Sequence, residues 1–175
     1  MASELTKKYK EGLQFEEDSG SADAIASYEW VISYKFKDED EVTDENIKAK
    51  EQSVYRLAQI FVQLSLFDEL ISLTKQILPG YVELPKSKVA KIIRTLFDIT
   101  IRFPGKGRNQ PLIDLSNHVI EWCNKESRSF LRMKIENKLA ELYFKQTRYQ
   151  DALKLLGKLL HELKKKDDKL LIVES

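Results

Sequence analysis

The sequence predicts an all-α protein built from consecutive helical hairpins, and three observations predict it. Only 6 glycines and 4 prolines occur among 175 residues, too few for the many turns of a β sandwich or barrel. Apolar residues make up 42% of the chain and charged residues 33%, a balance typical of helices with one buried and one solvated face. Apolar positions recur at helical spacing along the chain, and no convincing strand-like alternation interrupts them.

Four helices are predicted in the first half of the chain. The first begins at Ser3 and ends at the break of residues 18–21, and the second ends before the acidic run of residues 37–45. Thr43, within that run, is the predicted N-cap region of the third helix. The fourth ends at Pro79–Gly80. The apolar stripes of these helices are Leu5, Tyr9 and Leu13; Ile25, Tyr28 and Ile32; Val54, Leu57, Ala58, Phe61 and Leu64; and Phe67, Leu70, Ile71, Thr74 and Leu78.

Four further helices are predicted in the second half. The fifth follows Pro85 and ends at the glycine-rich loop of residues 104–107, and the sixth ends near Asn124. The seventh runs from about residue 127 to 146, and the eighth begins near Tyr149. Their stripes are Val89, Ile93, Leu96, Thr100 and Phe103; Leu112, Leu115, Val119 and Cys123; Leu131, Ile135, Leu139 and Leu142; and Tyr149, Ala152, Leu153, Leu156, Leu159, Leu160 and Leu163.

An internal repeat connects these helices. Leu57–Phe61 aligns with Leu139–Tyr143, and Phe67–Ile71 aligns with Tyr149–Leu153, both at an offset of 82 residues or two repeats of 41. A small residue, an aromatic residue three positions later and a tight joint allow two helices of a hairpin to approach closely. The same frame, at an offset of 128, accommodates Gly12, Phe15, Ala24 and Ile25. Hairpins in series predict a right-handed α-solenoid of about four tetratricopeptide-like helical hairpins.

We therefore expect a single helical-repeat domain over residues 1–175. Its predicted hairpins span roughly residues 3–37, 43–79, 85–124 and 127–166, and residues 167–175 are predicted to start a truncated ninth helix. An array that stops within a helix leaves an uncapped end, so we expect the natural protein to continue beyond Ser175.

The sequence carries no recognisable catalytic pattern. His118 and His161 have no cysteine or carboxylate at metal-ligand spacing, and His118 is expected to be a partly buried helix residue. Cys123 ends an apolar stripe, where a free cysteine acts as a small hydrophobic residue. The loop of residues 105–108 lacks both the spacing and the preceding strand of a phosphate-binding loop. We expect no enzyme activity, no cofactor, no metal and no small-molecule substrate.

The charge balance also limits the function. With 29 basic and 28 acidic residues the net charge is +1, which provides no overall field for nucleic acid or an anionic membrane. A single cysteine and the short apolar runs, far below the roughly 20 residues of a membrane span, lead us to expect a cytoplasmic and nuclear protein.

Three charged segments have alternative interpretations. The acidic run of residues 37–45 is either a solvated connector or an acidic docking patch. Residues 164–166, all lysine, either stabilise a helix end or form a basic patch for a partner. Lys7, Lys8 and Lys10 lie in the first helix and are expected at an exposed end.

A series of residues in the second half resembles a known family. Its most specific part is the stretch Glu162-Leu163-Lys164-Lys165-x-Asp167-Asp168-Lys169. The others are Glu121-Trp122, Arg128-x-Phe130-Leu131-Arg132, Leu142-Tyr143-Phe144 and Arg148-Tyr149-Gln150-x-Ala152-Leu153. The series resembles the family of the 26S proteasome non-ATPase regulatory subunit 11, a subunit of the regulatory-particle lid. Only the N-terminal solenoid part of that family is represented, and its PCI domain, a winged-helix module, is absent.

The resemblance implies a non-catalytic scaffold that clamps the lid to the proteolytic core and the ATPase ring in ubiquitin-dependent protein degradation. The implied partners are an α-ring subunit of the core, ATPase-ring subunits and other lid subunits. We expect Lys7, Lys8 and Lys10 to contact an acidic patch on the core. Two alternatives remain open: the solenoid of the paralogous signalosome PCI subunit, which regulates cullin ligases, and a tetratricopeptide-like adaptor that binds peptides.

Overall fold

A computed structural model describes residues 3–18, 20–79, 84–103, 105 and 107–174. Within these ranges the chain forms eight α-helices, one short 3₁₀ turn and no strand, which confirms the all-α prediction. The helices are α1 (Glu4–Asp18), α2 (Ser21–Ser33), α3 (Asp44–Gln63), α4 (Phe67–Ile77), α5 (Lys86–Ile101), α6 (Asn109–Lys125), α7 (Ser129–Lys145) and α8 (Tyr149–Glu174). The solenoid arrangement of the hairpins stays a prediction.

Side-chain hydroxyls cap the starts of α1 and α3. The Ser3 hydroxyl accepts a hydrogen bond from the Thr6 N–H at 3.1 Å. The Thr43 hydroxyl accepts one from the Asn46 N–H at 3.2 Å. Each cap satisfies a first-turn N–H that has no partner within its helix, and thereby fixes the start of the helix.

Three joints between helices share one backbone geometry. Ser65, Ser127 and Thr147 adopt φ angles of 58°, 55° and 59°, in the left-handed region. In each joint the N–H of the next residue donates to the carbonyl five residues before it: Leu66 to Phe61 at 2.8 Å, Arg128 to Cys123 at 2.8 Å and Arg148 to Tyr143 at 2.9 Å. This is the Schellman closure of a helix C-terminus. The joints α3–α4, α6–α7 and α7–α8 are therefore closed by the main chain.

The described chain divides into two compact units, which we describe separately. Unit 1 (Met1–Phe103) contains α1 to α5, and unit 2 (Pro104–Ser175) contains α6 to α8. In unit 1, α3 contacts each of the other four helices. A cluster of Leu5, Val31 and Ala49 joins α1, α2 and α3. The single domain predicted over residues 1–175, and the hairpin predicted over residues 85–124, which combines helices of both units, stay predictions.

Gly12 allows α1 and α2 to approach closely. A Cβ atom at Gly12 would lie 2.7 Å from Cε1 of Tyr28, whose side chain is fully buried. The Tyr28 hydroxyl donates to Glu16 at 2.5 Å, so the ring is held against α1. Ala58 and Ala140, the small residues at matching repeat positions, are also buried. The burial of these small residues agrees with the prediction that the paired helices approach each other closely there.

In unit 2, α7 contacts both α6 and α8. Leu115, Val119 and Cys123 of α6 are buried, as are Ile135 and Leu139 of α7. These buried side chains contribute to the apolar core of unit 2, as do Ala152 and Leu159 of α8.

The predicted ninth helix is wrong. Helix α8 continues without a break through the charged residues 164–168 to Glu174. No glycine, proline or left-handed residue interrupts this stretch, and lysine is a good helix former, so nothing ends the helix there. The residues assigned to a start at 167–174 are the last turns of α8, and residue 175 lies outside the described residues.

Candidate protein-interaction surfaces

Cys123 is buried, whereas His118 and His161 are exposed. Burial raises the pKa of the Cys123 thiol to about 11, which makes it a poor nucleophile near neutral pH. His118 is exposed, not partly buried as expected, and its Nδ1 lies 2.7 Å from the Asp114 carbonyl. His161 is also exposed. Among the residues that the structure describes, no group of histidine, cysteine and carboxylate side chains is arranged to hold a metal ion.

The described helices include none with the length and apolar character that a membrane span requires.

The two described glycines of the glycine-rich loop lie between α5 and α6. Gly105 and Gly107 adopt φ angles of 142° and 80°, which glycine alone adopts readily. Helix α5, not a strand, precedes this loop, so it lacks the strand–loop–helix context of a phosphate-binding loop. Pro104 and Lys106 lie outside the described residues.

The three N-terminal lysines do not form one patch. Lys7 and Lys10 are exposed and lie about 60° apart around α1, whereas Lys8 lies about 100° from Lys7. The Lys8 ammonium pairs with the Glu11 carboxylate at 2.7 Å. A partner could therefore meet Lys7 and Lys10 on one face, and the partner-binding role of all three stays a prediction.

The acidic connector is ordered by its own hydrogen bonds. Residues Glu39–Glu41 form the 3₁₀ turn, which Asp38 caps by accepting from the Glu41 N–H at 3.1 Å. Glu41 accepts from the Lys37 N–H at 2.9 Å and from the Tyr34 hydroxyl at 3.0 Å. The Lys37 N–H holds the pKa of Glu41 below its usual range, and the Tyr34 hydroxyl reinforces this. Most other side chains of the connector are exposed, which fits the solvated-connector interpretation.

The surface that the sequence did not predict is an apolar groove between α7 and α8. Phe130 is 82% exposed, Leu153 69%, Phe144 63% and Leu160 58%. Two cavities of about 550 and 450 Å³ share Asn137 and Leu156 in their linings, so they lie next to each other along the two helices. We define this α7–α8 groove by its lining residues Phe130, Met133, Asn137 and Phe144 of α7 and Tyr149, Leu153, Leu156, Leu160 and Leu163 of α8.

An ion-pair network outside the groove lining connects the two helices. Arg132 of α7 donates to Glu136 at 2.6 Å and to Glu162 of α8 at 2.5 Å. Lys158 of α8 reaches Glu136 at 3.1 Å. The hydrogen bond from Arg132 holds the pKa of Glu162 below its usual range. These contacts tie α7 to α8 and so fix the spacing of the groove walls.

The sequence contained a signal for this groove. The apolar positions of α8 include two adjacent rows, Ala152 and Leu159 on one side and Leu153, Leu156 and Leu160 on the other. Only Ala152 and Leu159 are buried among the described side chains of α8. A stripe wider than one helix contact can cover indicates a second contact surface. Of the seven stripe residues predicted for this helix, only Ala152 and Leu159 are buried.

Within each unit consecutive helices are in contact, and the described surface carries both charged and apolar side chains, so the structure is that of an all-helical protein. The chain belongs to the family described as the 26S proteasome regulatory subunit RPN6 N-terminal domain, whose model matches residues 5–146. The resemblance inferred from the sequence is thus confirmed.

Curated relatives agree with this family. The probable 26S proteasome regulatory subunit rpn6 of Schizosaccharomyces pombe is 37% identical over 152 residues, which cover 86% of this chain and 34% of the relative. The 26S proteasome non-ATPase regulatory subunit 11 homolog of Arabidopsis thaliana is 32% identical over 157 residues, covering 90% and 36%. The 26S proteasome regulatory subunit RPN6 of Saccharomyces cerevisiae is 31% identical over 133 residues, covering 76% and 30%. The chain spans about a third of the length of these relatives.

Proposed function

We propose that this chain is part of a non-catalytic scaffold subunit of the proteasome regulatory-particle lid. In this function it clamps the lid to the proteolytic core and to the ATPase ring, and so supports ubiquitin-dependent protein degradation in the cytoplasm and nucleus. The observation that carries the proposal is the family match over residues 5–146, to which the regulatory-subunit names of the relatives add support. The proposed partners are an α-ring subunit of the core, ATPase-ring subunits and other lid subunits.

The helical construction suits a clamp. The α3–α4, α6–α7 and α7–α8 joints are only three residues long and are closed by main-chain hydrogen bonds. Helices held in this way keep their faces in fixed positions, and fixed faces reduce the entropy lost when a partner binds. Interfaces of this kind have a polar rim around a few anchoring side chains.

Within this function, Lys7 and Lys10 are the residues that we propose for contact with an acidic patch on the core. Both are exposed on one face of α1, and long cations at an interface rim steer association toward carboxylates. Lys8 is the weaker member of the predicted set, because Glu11 already neutralises its charge.

The test uses the full-length protein with a purification tag, expressed in cells. Reversing both charges (Lys7→Glu with Lys10→Glu) is expected to reduce recovery of core α subunits several-fold at physiological salt, and more weakly at high salt. Lys48→Glu with Lys75→Glu is the matched control, because these exposed lysines of unit 1 carry the same charge change elsewhere. Equal recovery with both double variants would refute the lysine contact. Recovery of cullin machinery in place of core and lid subunits would refute the proposed function itself.

A further inference from the structure

We propose that the outward face of α8 is a docking site for a partner helix that carries a row of carboxylates. We call this face the α8 basic stripe and define it by Lys154, Lys158, His161 and Lys165. The four residues are exposed and lie within about 60° around the helix, over a length of about 16 Å. The stripe lies within unit 2, and the inference does not rest on the proposed function.

The stripe is separate from the α7–α8 groove. Successive residues of a helix are rotated by about 100°, so Lys154 and Lys165 lie about 100–140° around α8 from the groove residues Leu153 and Leu160. The two surfaces therefore face different directions, and an element that covers one does not have to cover the other.

The internal repeat indicates that this face stays open when a further helix follows a hairpin. At the offset of 82 residues, Lys154 and Lys158 match Ser72 and Gln76 of α4. Both matching residues are exposed, although α5 packs against α3 and α4. A further helix laid over the α7–α8 groove in the same way would therefore leave the stripe accessible.

The lysines of the stripe keep most of their charge available. Lys154 and Lys165 form no ion pair with any side chain that the structure describes. Lys158 reaches Glu136 at 3.1 Å, yet 55% of the Lys158 side chain is exposed, and Glu136 is shared with Arg132. Lys154 and Lys158 are four residues apart, and like charges at that spacing destabilise a helix. A carboxylate supplied by a partner would relieve this repulsion.

The acidic residues at the edges of the stripe are already paired. Asp151 accepts from Arg148 at 2.8 Å, and Glu162 accepts from Arg132 at 2.5 Å. Unit 2 as a whole carries 15 basic and 10 acidic residues, whereas unit 1 carries 14 basic and 18 acidic ones. The near-neutral charge of the chain therefore contains a basic unit, and the sign of that unit favours a partner of negative charge.

The three consecutive lysines of residues 164–166 have different surroundings. Helix α8 continues for more than two turns beyond them to Glu174, whereas the helix dipole acts within the last turn, so it does not explain them. The Lys166 ammonium lies over the Phe130 ring of α7, 4.7 Å from its centroid. Lys165 lies on the stripe, so the interpretation as a basic patch for a partner applies to this lysine.

A helix is the partner that fits the stripe. The basic positions recur at intervals of four, three and four residues, the intervals at which any helix presents one of its faces. Carboxylates at the same intervals on a partner helix would meet the stripe along its whole length. Nucleic acid fits less well, because single strands stack their bases on aromatic rings and none of the four stripe residues is aromatic.

Two helical peptides test the proposal by nuclear magnetic resonance titration of the whole ¹⁵N-labelled 175-residue chain. Both peptides are alanine-based. One carries four glutamates at intervals of four, three and four residues, and the other carries glutamine at the same positions. We expect saturable chemical-shift changes centred on the amides of residues 154–165, and binding of the glutamate peptide about tenfold tighter at low salt. The difference is expected to shrink with added salt, because the contacts are exposed ion pairs.

Matched variants locate the site. Lys154→Gln with Lys165→Gln removes two positive charges from the stripe and is expected to weaken binding of the glutamate peptide about fivefold. Lys48→Gln with Lys75→Gln removes two positive charges from exposed positions of unit 1 and is expected to change binding less than about twofold. Circular dichroism establishes that each variant keeps its helical content.

Several results would overturn the proposal. These are absence of saturable binding, equal affinity for the two peptides, shift changes spread over the lysines of both units, or equal weakening by the two double variants. Displacement of the glutamate peptide by an equal concentration of a single-stranded RNA oligonucleotide would assign the stripe to nucleic acid instead. Because these measurements use the chain alone, their failure leaves the lid-to-core association test unaffected.

Discussion

Replacing Thr147 by glycine is expected to stabilise the α7–α8 joint. Thr147 has a φ angle of 59°, and its N–H donates to the Phe144 carbonyl at 3.0 Å. A side chain at this angle brings Cβ close to the following carbonyl oxygen, and a β-branched residue is especially unfavourable there. Glycine removes the clash and keeps the hydrogen bond, because that bond uses the main chain only.

The size of the effect follows from two opposing contributions. The left-handed conformation costs a residue with a Cβ about 1–2 kcal/mol. Glycine loses about 0.5–1 kcal/mol more in conformational entropy on folding. The difference predicts a gain of about 0.5–1 kcal/mol in the free energy of unfolding. For a chain of this size it corresponds to an increase of about 1–4 °C in the melting temperature.

Urea unfolding monitored by circular dichroism measures this gain. The midpoint is expected to rise for Thr147→Gly at an unchanged slope, and to rise less for Ser65→Gly, because serine is not β-branched. Thr147→Ala is the control, since alanine retains the Cβ and most of the strain. If Thr147→Gly is no more stable than Thr147→Ala, the joint is not strained by the side chain and the reasoning fails.

Two further predictions concern close packing and charge. Gly12→Ala is expected to destabilise unit 1 by about 1–2 kcal/mol, because its Cβ would meet the buried Tyr28 ring at 2.7 Å. Gly157→Ala should instead stabilise the chain by about 0.5–1 kcal/mol, because a Cβ at this position meets open space. If the urea midpoints of Gly12→Ala and Gly157→Ala move in the same direction, the packing argument is wrong. Arg132 lowers the pKa of Glu162, so this carboxylate contributes stability above its unfolded pKa of about 4.3, which is lost as the pH falls through the folded pKa. Accordingly, Glu162→Gln should lower the urea midpoint at pH 7 and have progressively less effect below about pH 4; an effect independent of pH would exclude the ion pair as its cause.

The helices and their joints could be predicted from the sequence because local chemistry determines them. Ser3 and Thr43 cap helix starts with their own hydroxyls, and the small residue Gly12 lies where its repeat position indicated. The end of the last helix was missed for the opposite reason. The lysines and aspartates of residues 164–168 look like a connector by composition, yet each is compatible with a helix, and no residue there stops one.

The wide apolar stripe of α8 signals a second contact surface, but its exposure could not be predicted, because periodicity reports which side of a helix is apolar, not whether another element covers it. Ile71 and Leu153 occupy matching positions, and one is buried while the other is exposed. Ile71 is buried because α5 packs against α3 and α4. The apolar pattern of α8 carries no information on whether another helix covers its matching face. Likewise, spacing alone placed Lys7, Lys8 and Lys10 in one set, and only the side-chain positions revealed that Glu11 engages Lys8.

The shared closure of three joints has a consequence for how such a protein varies. Leu66, Arg128 and Arg148 donate the closing hydrogen bond through amide groups that every residue except proline possesses. The angle at which one helix reverses into the next is therefore largely independent of side-chain identity at the bend. Substitutions on the outward faces of the helices can therefore leave the direction of the next helix unchanged.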